Sequence, residues 1–399
     1  MVVGAGPGGS AAAYYLRRHN LSVLILDKAT FPRDKTCGDG LTPRALAILD
    51  DMGLLTPLTQ IACRINGVEI YSPDGHSVSS PVAARDARYA YMLVLPRLKL
   101  DHLLLEHALA SGAAFEPAVH VTGVTTTTSG VTLTCVQDRK TWTCSARAAV
   151  IATGANMRLL LSMGALQEAP PTMVAARAYY DDLNVLCDRV QLRFDGVRLP
   201  GYAWVFPTGP RSANVGAGYF AEGHASQRGI SSPTEAFESF VLHSRLHDTL
   251  ARARRVSKLK GFPLRVDFLT APTFMGQALF VGEAAGLVNP LSGEGIDYAL
   301  ESGRIAAEHL ARMFQQADFS TARFEEYDTA LRERYQNLFE FCHRVRRTFH
   351  HPFWLNVLVR LASRRMDLKL LLIRIVLGDQ PAPHSFSYWK LIKALLRPH

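Results

Sequence analysis

The chain has no uncharged apolar run of the roughly 18 residues that a membrane-spanning helix needs, so no such helix is expected. Its six cysteines (Cys37, Cys63, Cys135, Cys144, Cys187, Cys342) lack C-x-x-C spacing. That argues against a zinc framework or a disulfide scaffold and for a reducing compartment. The 14 histidines show no metal-ligand spacing, and no metal is expected. No basic leader precedes the first apolar residues, so no secretory signal is expected. Internal repeats and low-complexity segments are also missing. Acidic residues are scarce in one place only: residues 341–399 hold eleven Lys or Arg against Asp367 and Asp379, which accounts for the whole net charge of +9. Residues 1–340 are therefore formally neutral. This pattern points to a local anionic surface near the C-terminus and away from nucleic-acid binding.

What is present begins almost at the first residue. Val3-Gly4-Ala5-Gly6-Pro7-Gly8-Gly9-Ser10 reads as a short strand, a glycine-rich turn and the start of a helix. Gly4, Gly6 and Gly9 carry the G-x-G-x-x-G spacing that lets backbone approach a pyrophosphate at a helix N-terminus. After a turn at His19-Asn20, Leu21–Leu26 is a second apolar strand tipped by Asp27, where a carboxylate can accept ribose hydroxyls. Together these features predict a bound dinucleotide.

Further along, helices are expected over Pro43–Met52 and Arg97–Ala110, and short strands over 61–92. A β-meander is expected over 119–145 and a buried strand over 148–155. Repeated strand signals fill 172–220. A helical insertion over Pro233–Arg255 opens on the capping pattern Ser232-Pro233-Thr234-Glu235. A last buried strand, Gln277–Val281, runs into Gly282-Glu283-Ala284-Ala285-Gly286, a second glycine-rich turn at Gly293–Gly295 and a long helix. With 48% apolar residues the chain can bury a large core. The expected fold class is α/β: a Rossmann-like dinucleotide-binding domain (1–60, 93–165, 273–340), which the next observations assign to FAD, an interleaved antiparallel β-sheet substrate domain (61–92, 166–272) and a basic helical C-terminal region (341–399).

The second glycine-rich turn selects the cofactor. It supplies another helix N-terminus near Gly293–Ile296, which a flavin needs because its reduced ring gains negative charge. With it in place, Gly4–Gly9, Asp27, Arg97, Ala152-Thr153-Gly154 and Gly282–Gly286 resemble the FAD framework of p-hydroxybenzoate-hydroxylase-like flavoproteins. Within that class, Cys37-Gly38-Asp39-Gly40-Leu41, Tyr202-Ala203-Trp204-Val205-Phe206-Pro207 and Asn289–Ile296 resemble the geranylgeranyl reductase family. The resemblance implies that Gly4, Gly6 and Gly9 cradle the pyrophosphate and that Asp27 holds the adenosine ribose. Arg97 and, through its backbone, Val121 would hold the adenine and phosphate side. Glu283 would take the ribityl–pyrophosphate region, Gly295 and Ile296 the isoalloxazine, and Cys37 and Gly38 a loop under the flavin. The family commonly has Glu at Asp27, and the wider class Asp at Glu283; both swaps keep a carboxylate.

The implied activity is FAD-dependent reduction of isolated C=C bonds in a polyprenyl group, with NAD(P)H or a reduced redox protein as electron donor. Tyr202, Trp204 and Phe206 share one strand face, which fits either ordinary core packing or an apolar wall for the chain, with Pro207 at its mouth. Cys37, Tyr202 and Trp204 are the candidate catalytic residues; Cys37, Tyr202 or a water would deliver the proton. The apolar and basic segments 353–360, 368–377 and 388–397 fit either helices on an anionic membrane surface or a helical cap on the core. A cytoplasmic protein with peripheral contact at the inner membrane surface is the expectation. Alternatives on the same fold are a flavin monooxygenase or halogenase, a menaquinone side-chain reductase, and a membrane-docked electron-carrying flavoprotein.

Overall fold

A computed structural model describes residues 1–183, 188–220, 232–348 and 351–377. The short apolar runs form a six-stranded sheet in the order Phe274–Met275, Ala278–Phe280, Ala149–Ile151, Val2–Val3, Leu24–Leu26, Ala114–Glu116. All neighbours pair in parallel except the Phe274–Met275 edge. Parallel pairing requires crossovers, and helix α1 (Pro7–Arg18) supplies the first. It packs against α2 (Arg97–Ala110) and α3 (Ile296–Gln316). The α1–α3 approach is close enough that a Cβ at Gly303 would fall 2.4 Å from the Gly8 carbonyl oxygen. This glycine contact brings the N-termini of α1 and α3 to the same edge of the sheet, where open α/β folds place ligands.

A second, eight-stranded sheet joins Gly67–Tyr71 and Ser77–Pro81 to strands between Thr172 and Arg265. It is antiparallel except where Arg189–Arg193 runs parallel to Gly67–Tyr71. Strict alternation gives its central strands two different faces. Ala176, Ala178, Ala203, Val205, Val215 and Ala217 pack with Phe237 and Phe240 of the helix Pro233–His243. The opposite face carries Met173, Ala175, Tyr202, Trp204 and Phe206 toward the first sheet's ligand edge.

The described chain ends in three further helices: α4 (Thr321–Thr348), α5 (Pro352–Arg364) and α6 (Met366–Val376). Val359, Ala362, Leu368 and Ile373 form one apolar cluster with Ile65, Val68, Ile70, Met92 and Val190. Between the two readings of the tail, residues 352–376 thus take the cap, with Arg360, Arg364 and Arg374 outward. The segment 388–397 lies outside the described residues. No helix among the described residues is long and apolar enough to cross a membrane.

Two elements differ from expectation. The second strand covers Leu24–Leu26 only, because the Leu21 N–H closes the end of α1 on Leu16 and its carbonyl accepts from Arg17. The insertion after Ser232 is two helices, Pro233–His243 and His247–Arg252, since Ser244 is extended and its hydroxyl accepts from the Leu246 N–H.

Candidate cofactor and substrate site

One cavity of about 720 Å³ runs from the glycine turn to the underside of α5 and α6. At its first end the three motif glycines do different things. Gly4 has φ +103°, and a Cβ there would lie 2.4 Å from the Ala152 carbonyl oxygen. A Cβ on Gly9 would lie 1.8 Å from the Gly4 carbonyl oxygen, so Gly9 allows the close turn-to-helix packing and does not itself line the groove. Only Gly6 faces open space, with Arg33 Nη2 3.6 Å from its would-be Cβ. Gly6 is also the N-cap of α1 and offers no side-chain cap, which leaves that terminus for an anion. Asp27 Oδ2 accepts from the Ala5 N–H at 2.7 Å and Oδ1 from the Ala29 N–H at 2.8 Å, so the carboxylate is pinned at the groove floor with lone pairs to spare.

Arg97 is buried and bidentate to Asp101, at 2.6 and 2.8 Å. Arg33, from the loop after the second strand, reaches the same carboxylate at 2.8 Å. Two guanidinium groups on one buried carboxylate leave a net positive charge at the groove, which suits a pyrophosphate. Val121 lines the adjoining wall from the meander. Glu283, in the turn Gly282–Ala285, accepts from the Arg265 N–H at 3.1 Å and meets Lys35 Nζ at 3.3 Å. Groove glycines, a bare helix terminus and two guanidinium groups sharing one carboxylate fit the phosphates of FAD. Bound there, FAD would supply the redox chemistry that no side chain can.

The far end is apolar and framed by a buried polar network. Asp39 accepts from Tyr179 Oη at 2.6 Å, Asn214 Nδ2 at 2.7 Å and the Arg97 N–H at 3.3 Å. Asn214 Nδ2 also donates to the Cys37 carbonyl at 2.7 Å, and Asn214 Oδ1 accepts from Trp204 Nε1 at 2.9 Å. Burial pushes the Asp39 carboxyl up to about 6 despite these donors. The network ties the Cys37–Gly40 loop to the strand Gly201–Gly209, whose Phe206 ring covers Gly38 and Gly40. Trp204 lies so flat on its neighbour that a Cβ on Gly216 would lie 2.0 Å from Trp204 Cζ2. Burial also raises the Cys37 thiol, partly offset by Arg97. Tyr202 donates to the Ser292 carbonyl, and burial drives its phenol far above the ordinary range.

Gly295 caps α3 and Ile296 begins it. The Ile296 N–H donates to Glu294 Oε1 at 2.9 Å. The structure thus gathers Cys37, Gly38, Tyr202, Trp204, Phe206, Gly295 and Ile296 around one space. Pro207 is a correction: it is buried on the opposite face, with Ala203 and Val205, and does not line the cavity. Arg33, Lys35, Asp39, Asn214 and Glu294 were given no role from the sequence. The first three sit in the run Phe31–Gly40, where clustered charges in a loop at the ligand edge were the available signal.

The comparisons with known proteins agree with this geometry. A family model described as FAD binding domain matches residues 1–341. The chain is 33% identical over 404 residues to the menaquinone reductase of Mycolicibacterium smegmatis, covering 98% of this chain and 94% of the relative. It is 29% identical over 357 residues to digeranylgeranylglycerophospholipid reductase 1 of Methanopyrus kandleri, covering 86% of this chain and 88% of that one. Among solved structures it resembles a geranylgeranyl bacteriochlorophyll reductase-like protein of Thermoplasma acidophilum, with TM-score 0.82, 23% identity and coverage of 99% and 97%. The bare terminus of α1 and the cationic groove therefore belong to a member of the FAD-binding-domain family of flavoproteins.

Proposed function

We propose that the protein is an FAD-dependent reductase that saturates isolated C=C bonds in the polyprenyl chain of a lipid. The observation that carries this reading is the continuity of the cavity: a cationic dinucleotide groove opens directly into an apolar chamber walled by Tyr202, Trp204 and Phe206 and roofed by Leu355, Leu358 and Leu372. Such a chamber recognises a hydrocarbon chain and excludes water. Residues 1–60, 93–165 and 273–340 act as the cofactor unit, 61–92 and 166–272 as the substrate unit, and the helices over 352–376 as a cap on it. The likeness to a menaquinone reductase along nearly the whole chain supports a prenylated quinone as the first substrate to try.

An isolated trisubstituted alkene accepts hydride poorly, because the carbanion would be unstabilised. Protonation of one carbon leaves a tertiary, cation-like neighbour that hydride can quench. The chain's own residues hold the alkene against the ring site, with Trp204 fixed by Asn214 and the Cys37 loop fixed by Asp39. NAD(P)H or a reduced redox protein supplies the electrons. Peripheral membrane contact fits the exposed Phe353 (57%), Trp354 (52%) and Met366 (63%), which flank outward arginines on α5. Vesicles containing anionic lipid should retain the wild type and release the double variant F353S/W354S; equal flotation of both would reject the contact. The activity itself is tested by anaerobic incubation of the FAD-loaded, reduced protein with a prenylquinone, followed by product mass.

A further inference from the structure

Alkene saturation, the reading on which this inference rests, needs an acid next to the hydrocarbon. Five carboxyls line the cavity: Asp27, Asp34, Asp39, Glu283 and Glu294. Asp39 is committed to Tyr179, Asn214 and the Arg97 N–H. Asp34 pairs with Arg177 and Lys260, and Glu283 with Lys35. Asp27 lies at the glycine-turn end. Glu294 differs from all of these. It lines the cavity, and its carboxyl accepts from the Ile296 N–H at 2.9 Å with no ion-pair partner among the described residues.

The turn that carries Glu294 abuts the aromatic wall. Tyr202 Oη lies 3.2 Å from where a Cβ on Gly293 would stand, and its proton goes to the Ser292 carbonyl. We propose that Glu294 is the proton donor of this site, giving its proton to the alkene carbon and leaving a carboxylate held by the N-terminus of α3. The new C–H bond takes the alkene's π electrons. The tertiary carbon receives hydride from the reduced flavin, the two-electron donor, and solvent reprotonates Glu294. The Ile296 N–H and the N-terminal end of α3 stabilise the conjugate base as it forms.

The charges around Glu294 agree with this role. Burial and the neighbouring Asp297 raise its carboxyl to about 8, so it is protonated at neutral pH. Asp297 is itself met by Arg44 at 3.7 Å and by Thr42. Facing Glu294 are Tyr202 from the strand Gly201–Gly209 and Cys37 from its loop, and both are raised by burial and by Glu294's own charge. Arg346 of α4 donates to the Pro290 carbonyl of the same turn. Tyr202 and Cys37 are therefore weaker acids than Glu294, and efficient proton transfer favours the group titrating nearest the working pH.

The test compares wild type, E294Q and E294D as FAD-loaded proteins, with a prenylquinone as substrate and two readouts. First, single-turnover lipid saturation under anaerobic conditions should fall about 100-fold or more in E294Q, with E294D partly active. The wild-type rate should decline above about pH 8, where Glu294 ionises. Second, infrared spectra of protein labelled with ¹³C-glutamate should show a protonated-carboxyl band at pH 7 that is lost by pH 9 and absent from E294Q. Saturation by E294Q within threefold of wild type, or no such band at pH 7, overturns the proposal. Failure of the wild type to saturate any prenyl lipid overturns the reductase reading instead, and the role of Glu294 with it.

Discussion

The Asp39 carboxylate is the most exposed point of the account, because it combines full burial with a single charge. Replacing it by Asn keeps the volume and removes the ionisation. In the wild type the carboxyl is raised from the ordinary 3.8 to about 6, a shift of roughly 2 units or about 3 kcal/mol. A carboxyl raised by folding favours the protonated protein. Its contribution to stability is therefore fully present below the unfolded value and is lost as pH rises through about 6. The wild type should lose about 3 kcal/mol relative to D39N between pH 4 and pH 7. For a chain of this size that corresponds to roughly 4 °C in Tm. The assay is thermal unfolding of both FAD-loaded proteins at pH 4, 5, 6 and 7. Against this pH trend stands a constant penalty in D39N, since an amide cannot accept from both Asn214 Nδ2 and the Arg97 N–H, at about 1–3 kcal/mol. Parallel Tm curves across the pH series would refute the assignment of a raised, buried Asp39.

Three other outcomes follow from the site. G9A should purify without FAD, because the added Cβ would sit 1.8 Å from the Gly4 carbonyl oxygen and force the glycine turn off α1; retained flavin absorbance would contradict this. R33A should weaken FAD binding about tenfold to 100-fold through loss of a charge-assisted contact, with a shallower salt dependence by titration calorimetry; an unchanged Kd would remove Arg33 from the phosphate site. W204F orphans the buried Asn214 Oδ1 at about 1–3 kcal/mol and should reduce lipid binding while the flavin spectrum stays intact, as read by fluorescence titration of a prenylquinone.

The local signals in the sequence carried far. Arg97–Ala110 forms the helix its apolar spacing predicts, and Ser232 accepts from the Glu235 N–H as its capping pattern implies. Strand edges were less legible: Leu21 and Val23 are as apolar as Leu24 and Leu26, and pairing with neighbours decides where a ladder begins. The tail illustrates another limit, since an amphipathic helix has the same pattern whether its apolar face meets lipid or the cluster of Ile65, Val68 and Val190. Within the site, alternation alone placed Tyr202, Trp204 and Phe206 on one strand face, and the fold turns that face toward the cavity. The network that fixes them was not, because Asn214 and Asp39 are 175 residues apart. Glu294 stood inside a recognised motif, but only the fold shows it meeting the Ile296 N–H beside Tyr202 with no ion-pair partner among the described residues.

The central claim is that flavin and polyprenyl chain share one cavity and exchange a hydride there. Its most direct test is the mass of a prenylquinone recovered after anaerobic incubation with the chemically reduced, FAD-loaded protein. The account predicts a gain of two hydrogens per saturated bond, with stoichiometric reoxidation of the flavin. Lipid bound and flavin reduced, with the lipid mass unchanged, would contradict it.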